Sequence, residues 1–103
     1  NDSKSFKIQK ISLEVMKKDL GEMTWKESKE VCAALGDGWR LPTIKELEVI
    51  YQFRNKIGLN HYQYWSSTES SNGALSYWFP NGGSAANLNK SHAFYVCAVR
   101  TLK

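Results

Sequence analysis

Apolar residues alternate with polar ones from Phe6 to Val15: Phe6 and Ile8, then Ile11, Leu13 and Val15, separated by Lys, Gln, Ser and Glu. A period of two puts such residues on one face of an extended chain, so this stretch predicts one or two half-buried strands. The pattern breaks at 17–21, read as a turn, and changes to a period near 3.6. Trp25, Ser28, Cys32 and Leu35 then form one helical stripe. Thr24 with Glu27 three positions on has the form of a capping box opening that helix, and Gly36 supplies the residue tolerant of positive φ that closes it. After Gly38-Trp39-Arg40-Leu41 comes Pro42, which biases Leu41 toward extended backbone, and Thr43 with Glu46 repeats the capping box. The second helix has Leu47, Ile50 and Tyr51 as its inward face, fades around 53–56, and ends at Ile57-Gly58.

Beyond Leu59 the helical period disappears. Positions 64–67 and 75–79 read as short strands, the second ending at Pro80. Asn81-Gly82-Gly83 is a hairpin signal because Asn and Gly accept the positive φ of tight turns. Positions 84–88 should return antiparallel, 89–92 turn again, and 93–101 make the last strand. Strands, two helices and a strand meander give an α+β domain, with residues 1–5 loose. The expected core is Trp25, Cys32, Leu35, Trp39, Leu41, Leu47, Ile50, Trp65, Phe79 and Val99.

At 103 residues the chain is expected to form a single domain, 1–103, and its 42% hydrophobic content is globular with no apolar run of membrane-spanning length. Asn1 in place of Met points to a processed or trimmed start, so the lack of a visible leader carries no weight against export. The net charge of +4 raises nucleic acid as a partner, but Lys4, Lys7, Lys10, Lys17, Lys18, Lys26 and Lys29 are interleaved with Glu14, Asp19, Glu22, Glu27 and Glu30. Mixed charge of this kind forms a solvated face rather than a phosphate track, and no nucleic-acid partner is expected. Anionic glycans could still be attracted by those lysines.

Catalytic chemistry finds little support. His61 and His92 are the two histidines, each in an expected loop and neither tied to a nucleophile or carboxylate at a recognised spacing. No enzyme, cofactor or metal is expected. Glu69 is read as a partner for loop backbone, and Arg40 and Arg100 as donors to carbonyls or to Glu46 or Glu48 rather than as a grip on an anion.

Composition after Leu59 does suggest a function. Asn, Ser, Gly, Ala, Tyr and Trp dominate, and no acidic residue occurs between Ser70 and Lys103. Core demand does not absorb Tyr62, Tyr64, Trp78, Phe94 and Tyr95 together, because alternation sends some of them to the opposite face of a thin sheet. Rigid aromatics among small polar residues are the composition of binding loops. The expected ligand-binding residues are therefore Tyr62, Tyr64, Ser71, Asn72, Ser76, Trp78, Ser84, Asn87, Asn89, His92, Phe94 and Tyr95.

Trp25, Cys32, the run Gly38-Trp39-Arg40-Leu41-Pro42-Thr43 with Glu46-Leu47, the run Tyr64-Trp65-Ser66-Ser67-Thr68-Glu69, and Val96-Cys97-Ala98-Val99-Arg100 occur in an order that resembles the Lcl C-terminal-domain family. This is a bacterial branch of the C-type-lectin-like fold, and the resemblance runs from about Ile11 to Arg100. It implies two helices flanking a small twisted sheet, adjacent chain ends and long polar loops. It also implies an exported recognition domain, at a cell surface or on a phage particle, with a protein or glycan ligand. The sequence looks closest to members that include variable proteins of diversity-generating retroelements, which hold variable surface positions on a constant scaffold. Alternatives are an adhesin binding sulfated glycans through its lysines and a structural tip domain without a ligand; oligomeric state is not legible. Formylglycine-generating relatives use paired C-terminal cysteines, whereas this chain has only Cys97 there. Calcium-dependent lectins use a Glu-Pro-Asn triplet, and Pro80-Asn81 here lacks the carboxylate.

The fold resemblance also implies a bridge from the first helix to the last strand, here Cys32 with Cys97, with a loop-entropy contribution of about 4 kcal/mol. Relatives with a C-terminal cysteine, however, usually carry it where this chain has Ala98. A shift of one residue along a strand reverses the side chain's face. The expectation is two free thiols, Cys32 buried and Cys97 on the surface of the binding sheet.

Overall fold

A computed structural model describes residues 5–70 and 73–102, side chains at 70 and 85–88 excepted. The alternating N-terminal stretch is two antiparallel strands, β1 (Ser5–Ile8) and β2 (Leu13–Met16), joined by a 3-10 turn that closes on Ser12 in the left-handed region at φ 51°. Ser5 is thus the first residue of β1 and not part of a loose tail. A two-residue strand, β3 (Glu22–Met23), precedes α1 (Trp25–Ala34). Next come α2 (Ile44–Gln52), the short α3 (Arg54–Ile57), β4 (Gln63–Ser70), β5 (Gly73–Trp78) and β6 (Gly83–Leu88). The expected single last strand is divided into β7 (Phe94–Tyr95) and β8 (Val99–Thr101).

Two open sheets result, ordered β1-β2-β8 and β3-β7-β4-β5-β6. The first is antiparallel; the second is mixed, since β7 runs parallel to β4 through the pair Tyr64 and Tyr95. The last segment divides because its two ends serve different sheets. Between them, the carbonyls of Val96 and Ala98 accept from Leu20 and Met16 at 2.8 and 2.9 Å. The architecture is α+β and compatible with a small C-type-lectin-like domain.

Both helix starts follow from local chemistry. Thr24 and Thr43 each accept from the backbone N–H of the glutamate three residues on, and Glu27 and Glu46 each accept from the cap residue's own N–H. Two donors at each helix start are satisfied in this way. The β4–β5 hairpin then separates two apolar clusters, because adjacent residues of a strand point to opposite faces. Tyr64 and Tyr77 join Leu47 and Ile50 of α2, with Val15, Phe79 and Val99. Trp65 and Ala74 join Trp25 and Cys32 of α1, with Leu41, Val96 and Ala98. The helices therefore cover opposite faces of one hairpin.

Two expected core residues differ. Leu35 continues the stripe of α1 but sits at its C-cap, beyond the packed turns, and is 39% exposed. Trp39 is half-buried, packed against the second cluster with the Arg100 guanidinium 4.5 Å from its ring centre.

The cysteines are both free and both buried. Ala98 shares a cluster with Cys32 while Cys97 belongs to the opposite one, so the face reversal holds. The surface position expected for Cys97 does not, because the reversed face meets a second core instead of solvent. Burial raises the Cys32 thiol to about 11 and pushes Cys97 up further still. Thiolate is the reactive form, so the native domain should ignore a disulfide reagent near pH 8 and release two thiols per chain once denatured without reductant. Fast labelling of the native protein would contradict this packing.

Candidate functional site

The face of β4 and β5 that holds Trp65 extends to Gln63 and Trp78, paired across the ladder. α1 covers the Trp65 region. Beside Gln63 and Trp78 a cleft of about 390 Å³ opens, with Phe94 and Tyr95 of β7 along it. Its rim is the 60–62 segment that leads into β4, and Glu22 on β3, paired with Tyr95, adds an acidic residue to the lining.

The rings are fixed by one another. Tyr62, 70% exposed, tilts against Trp78 with centroids 5.7 Å apart. His61 lies parallel to Tyr95 at 3.7 Å and 3°, and its Nε2 is 3.2 Å from the Asp19 carboxylate. Asp19 in turn accepts from the Gly21 backbone N–H, anchoring the turn before β3. Gln63 donates its amide N–H to Ser76 Oγ at 2.8 Å, which holds the side chain at the cleft.

Tyr62, Trp78, Phe94 and Tyr95, all expected from sequence, are thus brought together. Tyr64 and Ser76 are not available. Tyr64 is fully buried against Phe79, with centroids 4.6 Å apart, and its hydroxyl accepts from the His61 backbone N–H. Burial pushes its phenol well above the ordinary range. Ser76 is fully buried and occupied by Gln63. Alternation placed Tyr64 on the α2 face, which is as covered as the other. Ser84 is exposed on β6, and Asn89 caps its own turn by accepting from Ser91. His92 meets Phe94 edge-on at 6.1 Å. None of these three lines the cleft. Ser71 and Asn72 lie outside the described residues, as does the side chain of Asn87.

Glu22, Asn60, His61 and Gln63 were missed. Glu22 and Tyr95 meet only through the β3–β7 ladder, a pairing far apart in sequence that no local pattern announces. His61 was considered only for catalysis, whereas its visible function is to back the Tyr95 ring. Among the described residues no three His, Cys, Asp or Glu side chains are grouped to hold a metal ion. Glu69, read as a partner for loop backbone, instead pairs with Lys90 Nζ at 2.7 Å.

The family model described as Lcl C-terminal domain matches residues 7–100. The chain belongs to the Lcl C-terminal domain family. No curated protein matches it.

In this Lcl C-terminal domain the two longest recognisable runs are bonded to each other. Ser67 N–H donates to Pro42 O at 2.7 Å, and Ile44 N–H to Thr68 Oγ1 at 3.1 Å. Trp25 Nε1 donates to Ser66 O at 2.8 Å, tying α1 to the same strand. Arg40 exchanges backbone bonds with Val99 and forks onto both Glu46 oxygens at 2.8 and 3.0 Å. Burial works against the charged Glu46, but the Arg40 fork and Thr43 more than offset it and hold the carboxyl below its ordinary range. Arg100 pairs with Glu14 through its Nε at 2.8 Å. The recognisable runs therefore build the scaffold, and the cleft's described lining residues lie outside them.

Proposed function

We propose that this domain is a ligand-recognition module that performs no chemistry of its own, exported and displayed at a cell surface or on a phage particle. Its binding site is the cleft between the 60–62 segment, β5 and β7, and its ligand is a protein or glycan on another cell or molecule. Family membership supports the coarse reading of a lectin-like, ligand-binding or adhesin domain. The observation that carries the finer one is the set of four aromatic residues, Tyr62, Trp78, Phe94 and Tyr95, that line one open cleft away from the scaffold motifs. Partly exposed aromatic rings held by neighbours give contact area at little entropic cost.

The same positions fit a diversified variable protein, with cleft residues changing over a constant framework. Sibling sequences with substitutions spread evenly over cleft and scaffold would remove that reading. For binding itself, glycan and protein arrays probed with the native domain and with Trp78→Ala identify the ligand and its site together. Trp78 is only half-buried, so the variant should fold, and binding should weaken on the order of tenfold or more. Unchanged binding by Trp78→Ala with steep loss in salt would point instead to sulfated glycans held by the lysines.

A further inference from the structure

We infer that the cleft seats a cationic group, the ε-ammonium of a lysine presented by a protein partner; this rests on the recognition reading above. The chain carries 14 Lys and Arg against 10 Asp and Glu, yet among the described residues no Lys or Arg lines the cleft and Glu22 does. Among the described residues Glu22 has no cationic partner. An anion, a sulfate ester included, would find a carboxylate there and no guanidinium or ammonium to receive it.

The remaining lining suits a cation twice over. Ring faces carry the negative side of the aromatic quadrupole, and Tyr62 and Trp78 stand as a tilted pair with centroids 5.7 Å apart. Gln63 has its amide nitrogen engaged with Ser76, so its oxygen is the atom left to accept. Behind the Tyr95 ring, His61 is held by the Asp19 carboxylate, placing a second acidic group on that side. A neutral sugar could use the rings but has no charge for Glu22 to meet. Lysine matches both features, because its four-carbon stem can lie along Tyr62 and Trp78 while its head reaches the carboxylate. The opening beside the exposed Tyr62 admits a side chain projecting from another surface.

The test is a proton–nitrogen NMR titration of the whole chain with four probes: N-acetyl-lysine methylamide, its uncharged isostere N-acetyl-norleucine methylamide, methyl β-glucoside and a sulfated disaccharide. The lysine amide should shift the Trp78 indole, the Gln63 side-chain amide and the Glu22 backbone signal, with the norleucine amide several-fold weaker. Glu22→Gln should weaken the lysine probe roughly two- to fivefold, the size of an exposed ion pair, and leave the norleucine probe unchanged. Shifts of these signals by the glucoside or sulfated disaccharide, without the lysine amide, would overturn the inference and leave the cleft standing as a site. Equal response to lysine and norleucine, or an unaltered lysine response in Glu22→Gln, would overturn it as well. Silence of the cleft signals toward all four probes would count against both the inference and the proposed site.

Discussion

Trp65→Ala should cost the domain about 3–5 kcal/mol, the usual penalty for truncating a large buried aromatic and a large part of the stability of a domain this size. Trp65 is fully buried among Trp25, Cys32, Leu41 and Ala74. Its indole N–H donates to Met23 O at 2.9 Å, and its ring meets Phe94 edge-on at 4.8 Å. Alanine would remove the packing, open a cavity between α1 and the hairpin, and leave the Met23 carbonyl without that donor. Urea unfolding followed by circular dichroism should show a lower midpoint at an unchanged slope. A loss below about 1 kcal/mol would mean that the α1 side of the sheet collapses onto the gap and is not a fixed core.

The other large effect is expected at the pair that joins the chain's two ends. The Glu14 side chain is only 8% exposed, with Arg100 Nε donating at 2.8 Å and Ser5 Oγ donating to its other oxygen. The Arg100 hydrogen bond, then that from Ser5, hold the Glu14 carboxyl below its ordinary value of 4.5 against the pull of burial. A folded pKa below the unfolded one adds stability above about 4.5, and that increment disappears as pH falls through the folded value. Arg100→Ala leaves the carboxylate buried without its cation, at a cost of about 2–3 kcal/mol near pH 7, since Arg100 is itself partly exposed. In the variant the largest interaction opposing burial is gone and only Ser5 and Lys7 still favour the charged Glu14, so protonation relieves the penalty and the two proteins should converge in stability as pH is lowered from 7 to 3. A gap that stays constant over that range would assign the loss to the Arg100 stack on Trp39 instead.

What the sequence disclosed follows from the range over which each signal acts. Thr24 with Glu27 and Thr43 with Glu46 are bonds between residues three apart, and both helix starts were legible. The hairpin turn before β6 was legible too, from Asn81-Gly82-Gly83. Alternation gave two faces for β4 but not which face is covered; both are, by α2 over Tyr64 and by α1 over Trp65. That is why Tyr64, Ser76 and Cys97 were expected at a surface and are buried. The division of the last segment into β7 and β8, and with it the meeting of Glu22 and Tyr95, depends on pairings between distant parts of the chain. Four of the cleft's aromatic residues were recognisable by composition; its polar residues were placed there only by folding.

The β1-β2-β8 sheet determines how this domain would carry tension. Ser5 pairs with Met16 and Thr101 with Leu13, so the chain enters beside one end of β2 and leaves beside the other. Pulled apart at these two points, β1 and β8 would slide along β2 in opposite directions. Ladder bonds run perpendicular to that motion and would be loaded together, in shear, rather than opened one at a time as in a zipper. The cleft, built on the other sheet, would keep its geometry under a load that the three-stranded sheet bears.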